Sequence, residues 1–315
     1  MDYSISQEFE PRLTMIQTTK DRRCLWDRIS GRCMFVITLL SGLVVFFMAL
    51  ALLHRSLPIL KSVPLSELLT SSSWHPMRGE FGFLPFILGT MWVTGVAILI
   101  AAPFSILAAI YLSEYAPGKI RNCASPLIDI LAGIPSVVYG IWGILIIVPF
   151  VKDHLAPLCG TFSTGYSVLA GGIVLSIMVL PVIIHVSIEV LSTVPVALKE
   201  ASLALGATQW QTTKHVVMRK SLPGIIAAIV LGLSRAFGET MAVLMVTGNV
   251  ARNPSSLFDP AYPLPALIAN NYGEMMSVPL YDSALLLASL LLLLIVLIFN
   301  IISRFILMRI ERRVI

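Results

Sequence analysis

The sequence predicts an all-α, polytopic membrane protein with six transmembrane helices. Of its 315 residues 57% are hydrophobic and only 12% charged, against about 25% charged in ordinary soluble domains. The mean hydropathy is +0.88, and uncharged or nearly uncharged runs recur six times along the chain. So few charged side chains cannot cover a folded body in water, so lipid must solvate much of the surface. Soluble globules, disordered chains and disulfide scaffolds are excluded at this step.

A helix needs about 20 apolar residues to cross a hydrocarbon core of about 30 Å. The uncharged runs Met34–Leu53, Phe81–Ser113, Leu155–Ile184 and Ser283–Ser303 satisfy this. Two more runs qualify although charges interrupt them: Ala124–Val151, with Asp129, and Ser221–Val246, with Arg235 and Glu239. Spans of this length are helical, because lipid offers the backbone no hydrogen-bond partners and the runs lack the short alternation of barrel strands. Pro103, Pro135, Pro149 and Pro181 fall within these runs and predict kinks.

The basic residues set the orientation. With a cytoplasmic amino terminus, the inner segments hold 16 of the 22 Lys and Arg residues, and the positive-inside rule then places both termini in the cytoplasm. The expected organisation is a cytoplasmic segment 1–33, a six-helix domain 34–308 containing an inner segment 189–220, and a cytoplasmic tail 309–315. The first run lies behind a polar, charged stretch and is followed by His54 and Arg55, which reads as an uncleaved anchor. Cys24, Cys33 and Cys123 fall on the side opposite Cys159, so no disulfide framework is implied. Two outer loops, Arg55–Glu80 and the Pro-rich Ala251–Asp282, have the length to receive a soluble partner.

The inner segment from Glu189 to Lys220 is too polar to span. Leu198, Leu203, Leu205, Ala207 and Trp210 give it the spacing of short helices lying against something. Farther on, Arg235 sits in an otherwise apolar helix, at a cost of about 2.5–3.5 kcal/mol on insertion scales, and so is expected to face a partner or a watery route. Glu239 follows four residues later, on the same face of a continuous helix, where it would neutralise Arg235. Gly224, Ala228, Gly232 and Ala236 form a small-residue stripe suited to close helix contact. A guanidinium stays protonated and matches phosphate oxygens bidentately; the bland alternative is a structural ion pair between helices. Asp129 reads as a snorkelled or capping carboxylate rather than a transport residue. The five histidines form no ligand cluster with Cys or Asp, so no metal site is expected.

Glu200-Ala201-Ser202 followed by Gly206 resembles the EAA signature of ATP-binding-cassette (ABC) importer permeases, with Leu222-Pro223 one helical turn later than that signature places its Leu-Pro. The run Leu231–Val243 (LGLSRAFGETMAV) closely resembles the fifth span of phosphate transport permeases of the C type, and Leu131–Gly140 (LAGIPSVVYG) resembles their third-span motif. The resemblance covers roughly residues 30–310. It implies the type I, MetI-like importer fold and a permease subunit of an ATP-driven phosphate importer in the inner membrane. It further implies ATPase coupling through Glu200, Ala201 and Gly206, and substrate translocation past Arg235 and Glu239. The implied partners are a homologous A-type (PstA-type) permease subunit, a dimer of cytoplasmic ATP-binding subunits, an extracytoplasmic phosphate-binding protein and membrane lipid; nucleic acid is not among them. The chain has no G-x-x-x-x-G-K-[ST] loop, so it is not expected to be an enzyme; ATP and Mg would be used by the partner ATPase and no cofactor is held here. The rival reading is a secondary, ion-gradient-driven anion transporter without ATPase partners, which calls for several embedded carboxylates and an inverted repeat.

Overall fold

A computed structural model describes the backbone of residues 6–274 and 277–314 and the side chains of 28–274 and 277–309. Expectations for side chains before residue 28 and beyond residue 309 lie outside the described residues. Six helices among those described are long and apolar enough to cross a membrane: Arg28–Ser62, Leu84–Tyr115, Ser136–Leu158, Val168–Ser192, Gln209–Gly238 and Tyr281–Arg309. The chain falls into two compact units, Met1–His54 and Arg55–Ile315. Within the first, no side chain from Met34 to Leu53 is buried.

In the second unit the core forms where the second and fourth spans run side by side, with Val93, Ala97, Leu175, Val179 and Ile183 buried in one cluster. Glycines permit the approach: a Cβ on Gly171 would collide with Thr247, and one on Gly172 with Val96. The small-residue stripe of the fifth span is a seam, as its spacing predicts. Gly224 abuts Val190 and Gly232 abuts Val179 and Ile183, all on the fourth span, and Ala228 and Ala236 are buried between them.

Three boundaries differ from the sequence reading. Ala124–Val151 is two elements: an amphipathic helix Gly118–Gly133 and the third span from Ser136, separated where Ile134 and Pro135 turn extended. A residue preceding proline is pushed out of the helical region, which explains the break. Asp129 therefore lies on the separate helix, with its carboxylate 3.8 Å from His185 Nδ1 and largely exposed. Leu155–Ile184 is likewise divided, because Gly160 and Gly165 at φ of 66° and 90° open a loop and Ser167 caps a new helix by accepting from Ala170 N–H at 3.2 Å. The third span continues to Leu158 through wide turns at Gly143–Ile147 and Val151–Leu155 that flank Pro149.

The Pro-rich loop is built into the fold rather than presented whole to a partner. Val168 N–H donates to Asp259 C=O at 2.9 Å and Leu169 N–H to Leu257 C=O at 2.8 Å, so the loop satisfies donors that the first turn of the fourth span cannot satisfy itself. The helix Leu264–Asn271 then buries Leu264, Pro265, Ala266 and Leu267, and Thr90 Oγ1 accepts from Leu264 N–H at 2.9 Å. At the same end Trp74, from a two-residue strand pairing Trp74 with Phe81, packs edge-on against Phe81 and Phe86.

Candidate functional site: a broken fifth span and a docking turn

The fifth span ends at Gly238, inside the run that the sequence suggests is continuous. Glu239 is extended, with φ −72° and ψ 128°, and a second short helix, Met241–Val246, begins two residues later. This corrects the expected pairing of Arg235 with Glu239. Helical i,i+4 proximity needs an unbroken helix, and no nitrogen–oxygen contact within 4.0 Å joins the two side chains; the ion contacts among the described residues are His185–Asp129 and Lys199–Glu114. Glu239 Oε1 instead accepts a long bond, 3.4 Å, from Ala242 N–H, at the start of the short helix. It also lines a narrow void with Thr90, Thr94, Leu175, Pro263 and Pro265.

Arg235 occupies the last turn of the helix and is exposed on this chain, while its neighbours Ala236 and Phe237 are buried. Among the described residues it has no hydrogen bond or ion pair. Tyr139 spans the break before the third span, donating to Leu131 C=O at 2.8 Å. The two motifs noticed separately in the sequence thus meet in space. Tyr139, Ala242 and Val246 share one buried cluster, and Gly140 lies directly against Ala242.

At the other end of the bundle, Glu200 and Ala201 lie on the short helix Val196–Ala204, which buries none of its residues. The chain reverses at Gly206, whose φ of 84° suits glycine. The next helix starts with a reciprocal capping box between Thr208 and Gln211. The apolar side chains expected to lie against something are bare: Leu198 is 44% exposed, Leu203 47%, Leu205 90% and Trp210 55%. Sequence reasoning missed Glu114. Its carboxylate accepts from Lys199 Nζ at 2.7 and 2.9 Å and its carbonyl from Gln209 Nε2 at 2.8 Å. The available signal was one acidic residue closing a long apolar run.

Residues 101–315 match the family described as binding-protein-dependent transport system inner membrane component. The chain is 40% identical over 255 residues to the probable ABC transporter permease protein YqgH of Bacillus subtilis, covering 79% of this chain and 80% of that protein. It is 37% identical over 307 residues to the phosphate transport system permease protein PstC of Xylella fastidiosa, covering 91% and 94%. Among solved structures, an inward-facing conformation of the MetNI methionine ABC transporter superposes with a TM-score of 0.57 at 21% identity over 76% of this chain and 99% of that one, which establishes the type I, MetI-like fold. The chain belongs to the binding-protein-dependent transport permeases, as a multi-pass inner-membrane subunit.

Proposed function

We propose that the chain is the C-type permease subunit of an ATP-driven phosphate importer, forming one half of the translocation route. The observation that carries this reading is Arg235, a guanidinium in the last turn of a membrane helix with neither carboxylate nor hydrogen-bond partner among the described residues. Such a cation is expensive in hydrocarbon, and its fork of donors fits the oxygens of a dianion that sheds water as it passes. The relatives named as phosphate transport permeases support that choice of anion.

Arg235 is exposed only because the chain is alone; in the assembly a homologous A-type permease faces it across the route. Glu239 is the second translocation residue. Placed just past the helix end, it repels an anion that has not first been neutralised by Arg235. Glu200, Ala201 and Gly206 shape the turn that docks on the ATPases, with Leu198, Leu205 and Trp210 as its apolar contact. Residues 1–33 and 309–315 lie with that turn in the cytoplasm, flanking the membrane domain 34–308, and an extracytoplasmic binding protein delivers phosphate at the Asp259 end. ATP and Mg act on the partner subunits. Closure of the ATPases moves the docked turn and exposes Arg235 first outward, then inward.

Affinity purification of the tagged chain from its own membranes tests this reading. An ATP-binding subunit and a second permease are expected to co-purify, and the reconstituted complex to take up labelled phosphate only with ATP. Purification without any ATP-binding subunit would favour the gradient-driven alternative and overturn the assignment.

A further inference from the structure

We infer that Glu114 and Lys199 form the strut through which the docking turn moves the second span, and thereby the surroundings of Glu239. The inference rests on the reading that residues 196–206 meet the ATPases. Lys199 Nζ holds both oxygens of Glu114, at 2.7 and 2.9 Å, with the two side chains only 23% and 8% exposed. Gln209, beyond the Gly206 reversal, donates to the carbonyl of the same residue at 2.8 Å. Both arms of the docking turn are therefore tied to one position. The helix Val196–Ala204 has no buried side chain with which to grip the bundle otherwise. Its remaining side-chain tie is Ser202 Oγ to Thr212 Oγ1, at 2.9 Å, and that bond joins the two arms to each other.

Glu114 also sits where displacement can enter a helix. Residues Tyr111–Tyr115 form a π turn at the end of the second span, a rare geometry that is frequent at functional sites. Between about 30 and 36 Å earlier along the axis, at 1.5 Å per residue, Thr94 and Thr90 of the same span line the void beside Glu239. The second span, packed on the fourth, thus connects the pair to the translocation residues. A cation and a carboxylate that are both withdrawn from water resist being pulled apart or pushed sideways, which an apolar contact alone would not do. Glu114 and Lys199 are positioning residues: they touch neither phosphate nor nucleotide.

The test uses the complete complex, with both permeases, the ATPases and the binding protein, in proteoliposomes. Glu114→Lys and Lys199→Glu are each expected to retain the ATPases on purification yet raise ATP hydrolysed per phosphate imported by about tenfold, the size of a typical coupling between sites. The combined swap is expected to bring the ratio back to within about threefold of the parent, because the pair is restored with its signs exchanged. An unchanged ratio in either single variant, or a double variant no better than the singles, would overturn the proposal. Should the reversals fail to assemble, Lys199→Met keeps the stem and removes the charge; a parental ratio there also overturns it. A parent complex that hydrolyses ATP without importing phosphate would instead sink the substrate reading. The strut is then judged from the ATP-driven change in spin-label distance between Met77→Cys and Tyr272→Cys, both exposed positions, in a background without native cysteines. Loss of that change in the single variants and its return in the double supports the strut; its persistence in the singles rejects it.

Discussion

Gly140 of the third span lies so close to Ala242 of the short helix that a Cβ there would stand 3.3 Å from the Ala242 Cα and collide with the Met245 thioether. The thioether can swing aside, whereas the Ala242 backbone cannot. Gly140→Ala is therefore expected to cost little, and Gly140→Val about 1–3 kcal/mol, the usual penalty for overfilling a packed site. Thermal unfolding in detergent would show the difference, and equal melting temperatures for the two variants would argue against a fixed contact between these elements.

Arg235→Gln is expected to lower labelled-phosphate uptake at least about a hundredfold, in line with the loss of a desolvated charged donor of about 3 kcal/mol, while membrane insertion is unaffected. Arg235→Lys keeps the charge but loses the bidentate fork, so uptake should recover only in part. Normal uptake by the Gln variant would remove Arg235 from the route.

Gly206 has open space where a Cβ would lie, so any effect of Gly206→Ala comes from the backbone. A left-handed conformation costs a non-glycine residue about 1–2 kcal/mol. Retention of the ATPases should fall by about tenfold, and less for Gly206→Asn, which tolerates this region better. Equal retention by all three residues would show that the φ of 84° is not needed for docking.

Asp259 lies in the loop between the fifth and sixth spans. The Ser255 hydroxyl, with help from the Ser255 and Ser256 N–H groups and Arg252, holds its carboxyl below the usual range against a smaller opposing effect of burial. A folded-state pKa that is depressed stabilises above the unfolded value, near 3.9, and is lost as pH falls through the folded one. Amide protection in residues 255–259, and at Val168 and Leu169 behind them, should hold steady down to about pH 5 and fall below about pH 4. Asp259→Asn should weaken protection at neutral pH and flatten that dependence. A variant with unchanged protection would show that the loop is held by other contacts.

Leu205 is nine-tenths exposed in the turn between the helices that carry Glu200 and Trp210. Leu205→Asp should abolish co-purification of the ATP-binding subunit without changing the amount of permease in the membrane. Retention at the parental level would move the docking surface elsewhere.

Much of this architecture can be read from residue order because its causes are local. The membrane cost of Arg235, the four-residue spacing of Gly224, Ala228, Gly232 and Ala236, and the turn at Gly206 each depend on a short stretch of chain. The break at Gly238–Glu239 is harder to see, since a glycine followed by polar residues still fits a helical run and the short helix beyond it packs on Gly140 and Tyr139, far away in the chain. The division at residues 159–167 is hard to see because that loop carries no charge and so does not interrupt an uncharged run. Glu114 was missed for a related reason. A carboxylate at the end of an apolar run looks like a boundary, and only the return of the chain to Lys199 and Gln209 gives it partners.

The exposure of Leu198, Leu203, Leu205 and Trp210 has a consequence for biosynthesis. A copy inserted ahead of its ATPases leaves these apolar side chains uncovered, the kind of feature that promotes self-association and degradation. On the proposed docking, cells lacking the ATP-binding subunit should hold less of this permease at unchanged transcript levels.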